Sequence, residues 1–272
     1  MLLSDRAVTP VPAAPEPLPA GRTTGHPVPP ADSAYWTFYA EVAAAQVAAW
    51  LPDAAVRVLD LSGGAEFAGQ LVARGHEVVH VRGNDDDRPN AVPGPGRLLS
   101  VVADTRSLGW LRPDSVDLVL AESRALSMCL AAEVTVEHLC RVLRPGGRLL
   151  LVVDSLVLGL ARLADQGRWA ELADVPSADV VLVPDEDGSI TRCFWPEELH
   201  ALLTGAGLQV DWVRPRSVLT PATVERALEQ GGAAAMKTLV RTELALTMDR
   251  QGDSTGIHLV ASARLPDLGS SV

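Results

Sequence analysis

Five consecutive residues, Asp60-Leu61-Ser62-Gly63-Gly64, carry the pattern best suited to ligand chemistry in this sequence. Glycines let a ligand approach the backbone, and the helix N-terminus that follows offers unpaired N–H groups with partial positive charge. Asp60 closes an apolar run, so its carboxylate can accept hydrogen bonds from the loop or from a cationic ligand. The same pattern also suits a ligand-free turn, because a lone glycine motif is weakly specific. A second acid, Glu122, follows the apolar run Val116 to Ala121. Substrate-facing residues fall at such strand ends in open α/β sheets, and desolvation can raise a carboxyl pKa far enough for general-base work. Tyr35, Trp36, Phe38 and Tyr39 hold four of only 11 aromatic residues. Their rings can cover the sheet edge or form a lid or substrate wall. His80 and His200 have no partner in the pattern and read as structural.

The elements that must position these groups are legible in order. Val56, Val58, Leu59 and Leu61 form a short apolar run, as expected of a parallel strand buried on both faces. Helical spacing follows in Phe67, Leu71 and Val72 and stops at Gly75; Val78, Val79 and Val81 make the next strand. This is one βαβ unit with a right-handed crossover. Before it, Asp32 or Ser33 can cap a helix from Ala34 to Leu51. Positions two apart diverge on a helix, so at least one aromatic must point away from Val42, Val47 and Trp50. After it, Asp85 to Gly96 reads as loop, Leu98 to Ala103 as a third strand and Val116 to Ala121 as a fourth. A helix of about twenty residues carrying Met128, Leu130, Val134, Leu139 and Val142 leads through Arg144-Pro145-Gly146-Gly147 to a fifth strand, Arg148 to Val153. Leu156 to Leu172 is helical by spacing, Ala173 to Gly188 reads as a loop or short insertion, and Ile190 to Trp195 is strand-like. Pro196 opens a helix, Leu208 to Val213 makes the sixth strand, and Thr220-Pro221 starts a helix interrupted at Gly231-Gly232. Met236 to Met248 fits either helix or strand, and Ile257 to Ala263 is the last strand. Strand and helix alternate throughout, so the fold class is α/β with an open, doubly wound sheet.

The composition sets outer bounds. A chain of 272 residues with 47% hydrophobic content can bury a full core as one domain. Residues 1–32 hold eight of the 20 prolines and lack apolar periodicity, so a mobile tail is expected ahead of a single domain over 33–268. The net charge of −11 speaks against a nucleic-acid partner. The longest apolar run, Leu149 to Val153, is too short to span a membrane, and no secretory signal precedes the domain. Three scattered cysteines form neither a disulfide framework nor a zinc spacing, which fits a reducing cytoplasm. Heavy use of Ala, Arg, Pro and Gly points to a GC-rich, bacterial genome.

From about Tyr35 to Leu265 the chain resembles a class I S-adenosylmethionine-dependent methyltransferase. The most specific piece is Arg141 to Leu150, RVLRPGGRLL, which is similar to that superfamily's post-helix turn and fifth strand. The order VLDLSGG, GHEVVHV, VVADT, DSVDLVLA agrees with it, as does FWPEELHALLTGAGLQV with its late helix–turn–strand. The resemblance implies a seven-stranded sheet with an antiparallel hairpin at one edge. The family's first motif alternates an acid and three glycines; here those positions read Asp60, Ser62, Gly64 and Glu66, which places Glu66 near the pocket floor. Where the family has an acid accepting from both ribose hydroxyls, this chain has Arg82, which can only donate, with Asp85 a substitute nearby.

The resemblance further implies an enzyme that passes a methyl group in line from S-adenosyl-L-methionine to a small molecule, leaving S-adenosyl-L-homocysteine. Asp60, Ser62, Gly63 and Gly64 would hold the amino-acid end, Arg82 the ribose position, and Asp104 and Thr105 the adenine. Tyr35, Tyr39 and Glu122 would face the substrate, with no metal. A second reading, favoured by Arg82 and Glu66, is a methyltransferase-like protein with a partner-binding or regulatory role and the proline-rich tail as a docking segment. A cyclisation on the same scaffold is a third. Partners are a small molecule and at most a second copy of the chain in a homodimer, with no nucleic acid and no membrane.

Overall fold

The computed structural model describes residues 29, 32–63, 65–83, 93–122, 124–185, 187–249 and 256–267. The expectations for the N-terminal tail, for Gly64 and for Asp85 lie outside the described residues. The chain folds into α1 (Ala34–Trp50), β1 (Arg57–Asp60), α2 (Ala65–Ala73), β2 (Glu77–Arg82), β3 (Arg97–Val102), β4 (Val116–Ala121), α3 (Ala132–Val142) and β5 (Leu143–Asp154). Then come α4 (Leu156–Asp165), α5 (Trp169–Asp174), β6 (Val181–Pro184), β7 (Ile190–Cys193), α6 (Pro196–Gly205), β8 (Gln209–Pro215), α7 (Pro221–Asp249) and β9 (His258–Arg264). Seven strands make the main sheet in the order β3-β2-β1-β4-β5-β9-β8. The first five run parallel, and β9 is antiparallel to both its neighbours, β5 and β8.

The period of two along each strand decides which residues meet which helices. Val58, Val78, Leu118, Leu120, Leu150 and Val152 face Val47 and Trp50 of α1 and Leu71 and Val72 of α2. The alternate positions, among them Leu59, Val79, Val119, Leu149 and Leu151, face Val136 and Leu139 of α3 and Leu199 and Leu203 of α6. Both faces are therefore dry, as near-continuous apolar strands require. Ser33 caps α1, its Oγ accepting from Tyr35 N at 3.0 Å. Gly75, at φ 91°, ends the first crossover in a backbone state that a side chain would strain. Among the described residues no helix is long and apolar enough to cross a membrane.

Four sequence expectations change. The helix after β4 is not twenty residues long: α3 starts only at Ala132, after turns that begin at Arg124 in the left-handed region (φ 57°) and leave Met128 and Leu130 exposed. The helix expected over 156–172 breaks at Gly167 (φ 67°) into α4 and α5. The segment read as a loop before Gly188 contains β6, which pairs with β7 in a separate two-stranded sheet. Finally, β8 and β9 are antiparallel neighbours but not a hairpin, because residues 216–257 between them include α7. That helix is kinked at Gly232 (φ 53°, ψ −142°), and Met236 onward is helical.

Helix α1 does two jobs along its length. Its C-terminal turns lie on the sheet face, whereas Tyr35, Phe38 and Val42 pack with Val224 of α7 beside Leu219 and Ile257. Those last two residues flank the carboxyl end of β8 and the start of β9. Together α1 and α7 thus roof the carboxyl edge of that half of the sheet. Phe38 is fully buried in this contact. Replacing Phe38 with Ala is expected to cost about 3–4 kcal/mol of stability, the usual loss for a buried aromatic, read as a lowered urea midpoint with an unchanged slope.

Candidate functional site

The loop after β1 is fixed from within. Asp60 is fully buried, and its Oδ1 accepts from Ser62 N at 2.9 Å while its Oδ2 lies 2.9 Å from His80 Nδ1. Register places the two residues side by side, Asp60 opposite His80 on β2. This double engagement shapes the turn and leaves Ser62 Oγ buried with no partner among the described residues. Gly63 follows at φ 76°. Glu66 is exposed in the first turn of α2. An acid in that turn is favoured by the helix dipole alone.

At the end of β2 Arg82 is 4% exposed, and its Nε donates to Ser100 Oγ on β3 at 2.8 Å. Past β3, Asp104 is exposed and forked by Arg106, with contacts of 2.9–3.3 Å from the guanidinium and one of 2.9 Å from Arg106 N. Those hydrogen bonds and the Arg106 charge hold its carboxyl below the usual carboxylate range. Asp104 thus caps its own loop. Thr105 lines a cleft of about 600 Å3 with Arg106, Met128, Leu130 and Ile190, between the ends of β3 and β4 and the β6–β7 turn.

The other half of the carboxyl edge holds a buried polar network. Arg216, directly after β8, is completely buried, and its Nη2 forks both oxygens of Glu122. Arg216 Nη1 donates to Gln46 Oε1 at 2.6 Å, and Gln46 Nε2 donates back to the Arg216 carbonyl at 3.2 Å. Burial alone would lower the guanidinium pKa, but Glu122 and Tyr39 outweigh it and keep the cation charged. Tyr39 Oη stands 2.9 Å from His258 Nδ1, and His258 Nε2 lies 3.4 Å from Asp154 Oδ1. Arg124 Nη1 donates to both Asp154 oxygens, at 2.9 and 3.0 Å. The left-handed backbone of Arg124 costs an L-residue about 1–2 kcal/mol; the carboxylate contact holds it there. Burial pushes His258 below its ordinary pKa, and it also raises the Tyr39 hydroxyl far above the tyrosine range. Asp154 pays a burial penalty too, yet the hydrogen bonds from His258 and Arg124 leave it below the usual value.

The structure therefore brings Asp60, Ser62 and Gly63 together at one loop, and Arg82, Asp104 and Thr105 at the adjoining strand ends. Glu122 does stand at the carboxyl edge, but its oxygens are occupied by Arg216, which makes it a counter-ion and removes the free carboxylate that a general base needs. Tyr35 is 2% exposed in the α1–α7 core, so of the two tyrosines only the half-buried Tyr39 can form a wall. His200 is exposed on α6. Asp154, Arg216 and His258 were not foreseen. The one signal for them was position: each stands at a strand end on the edge where ligands bind.

Residues 59–151 match the family model described as a methyltransferase domain. No curated protein matches the chain. A SAM-dependent methyltransferase from Methanosarcina mazei shares 19% identity over 82% of this chain and 97% of its own, with a TM-score of 0.53. The Burkholderia thailandensis 1,6-didemethyltoxoflavin-N1-methyltransferase, solved with 1,6-didemethyltoxoflavin and S-adenosylhomocysteine, gives 18%, 86%, 82% and 0.51. A Haloferax volcanii putative methyltransferase in complex with the Trm112 activator gives 15%, 87%, 93% and 0.54. At such identities these structures share the fold.

Two outcomes follow from the network. Glu122→Ala leaves Arg216 buried without its counter-ion and is expected to cost about 3–5 kcal/mol, most of it recovered in Glu122→Ala/Arg216→Met; denaturant unfolding of the three proteins checks this. The second concerns pH. With His258 below its ordinary 6.5 in the folded state, the unfolded chain binds that proton first, so stability falls as pH drops below 6.5. Asp154, held below 3.8, adds a further loss under that pH. Urea midpoints between pH 7.5 and 3 should decline in two stages, the first reduced in His258→Gln.

Proposed function

We propose that this chain, whose residues 59–151 match a methyltransferase-domain model, methylates a small molecule with S-adenosyl-L-methionine in a bacterial cytoplasm. The observation that carries this reading is the loop after β1: a turn braced by Asp60 that leaves the Ser62 hydroxyl buried and, among the described residues, unpartnered. A buried hydroxyl without a partner costs free energy until a ligand supplies one. That cradle fits the amino-acid end of the cofactor, with Asp60, Ser62, Gly63 and Gly64 as its holders. At the nucleoside end the fit differs from the family pattern. Arg82 supplies donors where a diol would meet an acceptor, and Asp104 is shared with Arg106. Arg82, Thr105 and Asp104 are the residues proposed to line that end.

When bound, the cofactor supplies an electrophilic methyl group on a sulfonium. The protein's share is alignment and exclusion of water, which can supply much of the acceleration in such transfers. Tyr39, a residue of α1, is the proposed acceptor-facing side chain. Support for a small acceptor comes from burial: Arg216, Asp154 and His258, which stand at the strand ends beside Tyr39, are 0–6% exposed. The Burkholderia neighbour, solved with 1,6-didemethyltoxoflavin and S-adenosylhomocysteine, is consistent with this.

One observation favours a second reading, a methyltransferase-like protein with a partner-binding or regulatory role: the arginine at the end of β2. Titration calorimetry with S-adenosylmethionine and S-adenosylhomocysteine separates the two. The methyltransferase reading expects dissociation constants near 1 μM, roughly −8 kcal/mol, and about tenfold weaker binding in Ser62→Ala. No heat and no thermal shift with either ligand would overturn it. A large gain in affinity in Arg82→Asp would mark a decayed ribose site, and a loss would mark Arg82 as part of the binding mode.

A further inference from the structure

We propose that Tyr39, His258 and Asp154 form a proton relay that deprotonates the acceptor, and that the acceptor is a weakly acidic hydroxyl of the phenol or enol class. The proposal rests on the methyl-transfer reading above and adds to it a proton path and an acceptor chemistry.

The direction of the relay follows from its chemistry. Asp154 is ionised and can only accept, so the proton between it and His258 resides on Nε2. In the neutral imidazole Nδ1 then carries the lone pair, and Tyr39 must donate to it across 2.9 Å. The charged and polar groups that act on the imidazole are Tyr39 from α1, Asp154 from β5, Arg124 after β4 and Arg216 after β8; Gln46 and Glu122 hold Arg216, and Arg162 of α4 lies 3.9 Å from Asp154. Arg124 and Arg162 keep Asp154 an anion, and that anion stabilises an imidazolium when one forms. Exposure is graded along the chain of contacts. Asp154 is 0% and His258 6% exposed, whereas the Tyr39 side chain is half-buried and is the outermost member of the three.

Burial lifts the Tyr39 hydroxyl too far for a standing phenolate, so Tyr39 conducts a proton and does not store a charge. The acceptor oxygen gives its proton to Tyr39 Oη while the Tyr39 proton passes to His258 Nδ1. The acceptor oxygen gains the methyl group, and the electron pair of the broken carbon–sulfur bond stays on sulfur. Charge balances: the sulfonium's positive charge reappears on His258, facing Asp154, and leaves later as a proton to solvent. An acceptor with no proton to lose, such as a carboxylate, gains nothing from this device.

The test uses the full chain, S-adenosylmethionine, and a panel of phenol, 4-nitrocatechol and aniline. Nitrogen-edited NMR of the unmutated protein at pH 7.5 should show His258 as the Nε2–H tautomer, with its Nδ1 signal shifted in Tyr39→Phe. The Nδ1–H tautomer would overturn the relay without any variant having to fold. In turnover, Tyr39→Phe should keep S-adenosylhomocysteine affinity within about threefold and lose roughly 100-fold on the hydroxyl acceptors. That loss should shrink as pH rises and the acceptor ionises unaided, which a purely structural Tyr39–His258 contact would not produce. Equal rates in Tyr39→Phe and wild type, or cofactor binding with no transfer to either hydroxyl, would also overturn it. Failure to bind the cofactor at all removes the methyl-transfer reading itself, a distinct result.

Discussion

A completely buried guanidinium is the constraint around which this molecule closes. Taking Arg216 out of water is costly, and the cost is met only by an arrangement that brings three distant elements to one point. Glu122 arrives at the end of β4, Gln46 comes from α1, and Arg216 itself ends β8. Each partner fixes the element that bears it. Helix α1 cannot slide without stranding Gln46, and β8 cannot shift register without uncoupling the pair. The apolar faces above and below the sheet hold the layers together, but they are forgiving of small displacements. The polar network is not, because a hydrogen bond lost in a dry interior is not replaced by water.

The same logic at smaller scale governs the loop after β1. Asp60 uses one oxygen to hold Ser62 N and the other toward His80, so a short turn acquires a defined shape from two contacts. A ligand entering there meets a formed surface and pays little to order it. The two halves of the carboxyl edge differ accordingly. On the β1–β2–β3 side the polar groups sit in loops that border a cleft; on the β4–β5–β9–β8 side they are sealed beneath α1 and α7.

The layers of this fold were readable because they depend on local patterns. Apolar runs of four to six residues, Gly75 after α2 and Pro196 at a helix start each act over a few positions, and the alternation of strand and helix follows from them, although Arg144 to Gly147, read as a turn, belongs to β5. What local patterns could not show is who meets whom across the chain. Tyr39 and His258 are 219 positions apart, and Gln46 and Arg216 are 170 apart. No periodicity links such pairs. Glu122 illustrates the consequence, since its place at the strand end was legible but its partner was not, and the partner decides its chemistry. Asp104 repeats the lesson over a shorter span: two residues on, Arg106 claims the carboxylate. Met128 and Leu130 failed for another reason. Their spacing suited a helix, and only the left-handed Arg124 and its tie to Asp154 show why the chain turns there instead.

The position of β9 has a consequence for how the molecule comes into being. A ribosome releases β5, then β8, and only after α7 the strand that must slip between them. Until then both neighbours present open edges, with unpaired N–H and C=O groups that invite association with other nascent chains. The long interval of synthesis is spent with a half-built sheet, and the closing step joins segments of very high sequence separation, which is slow. Because His258 is the first residue of that strand, a chain made only as far as α7 lacks the imidazole that the Tyr39 hydroxyl meets. Synthesis of β9 and assembly of the Tyr39–His258–Asp154 contacts are therefore one event.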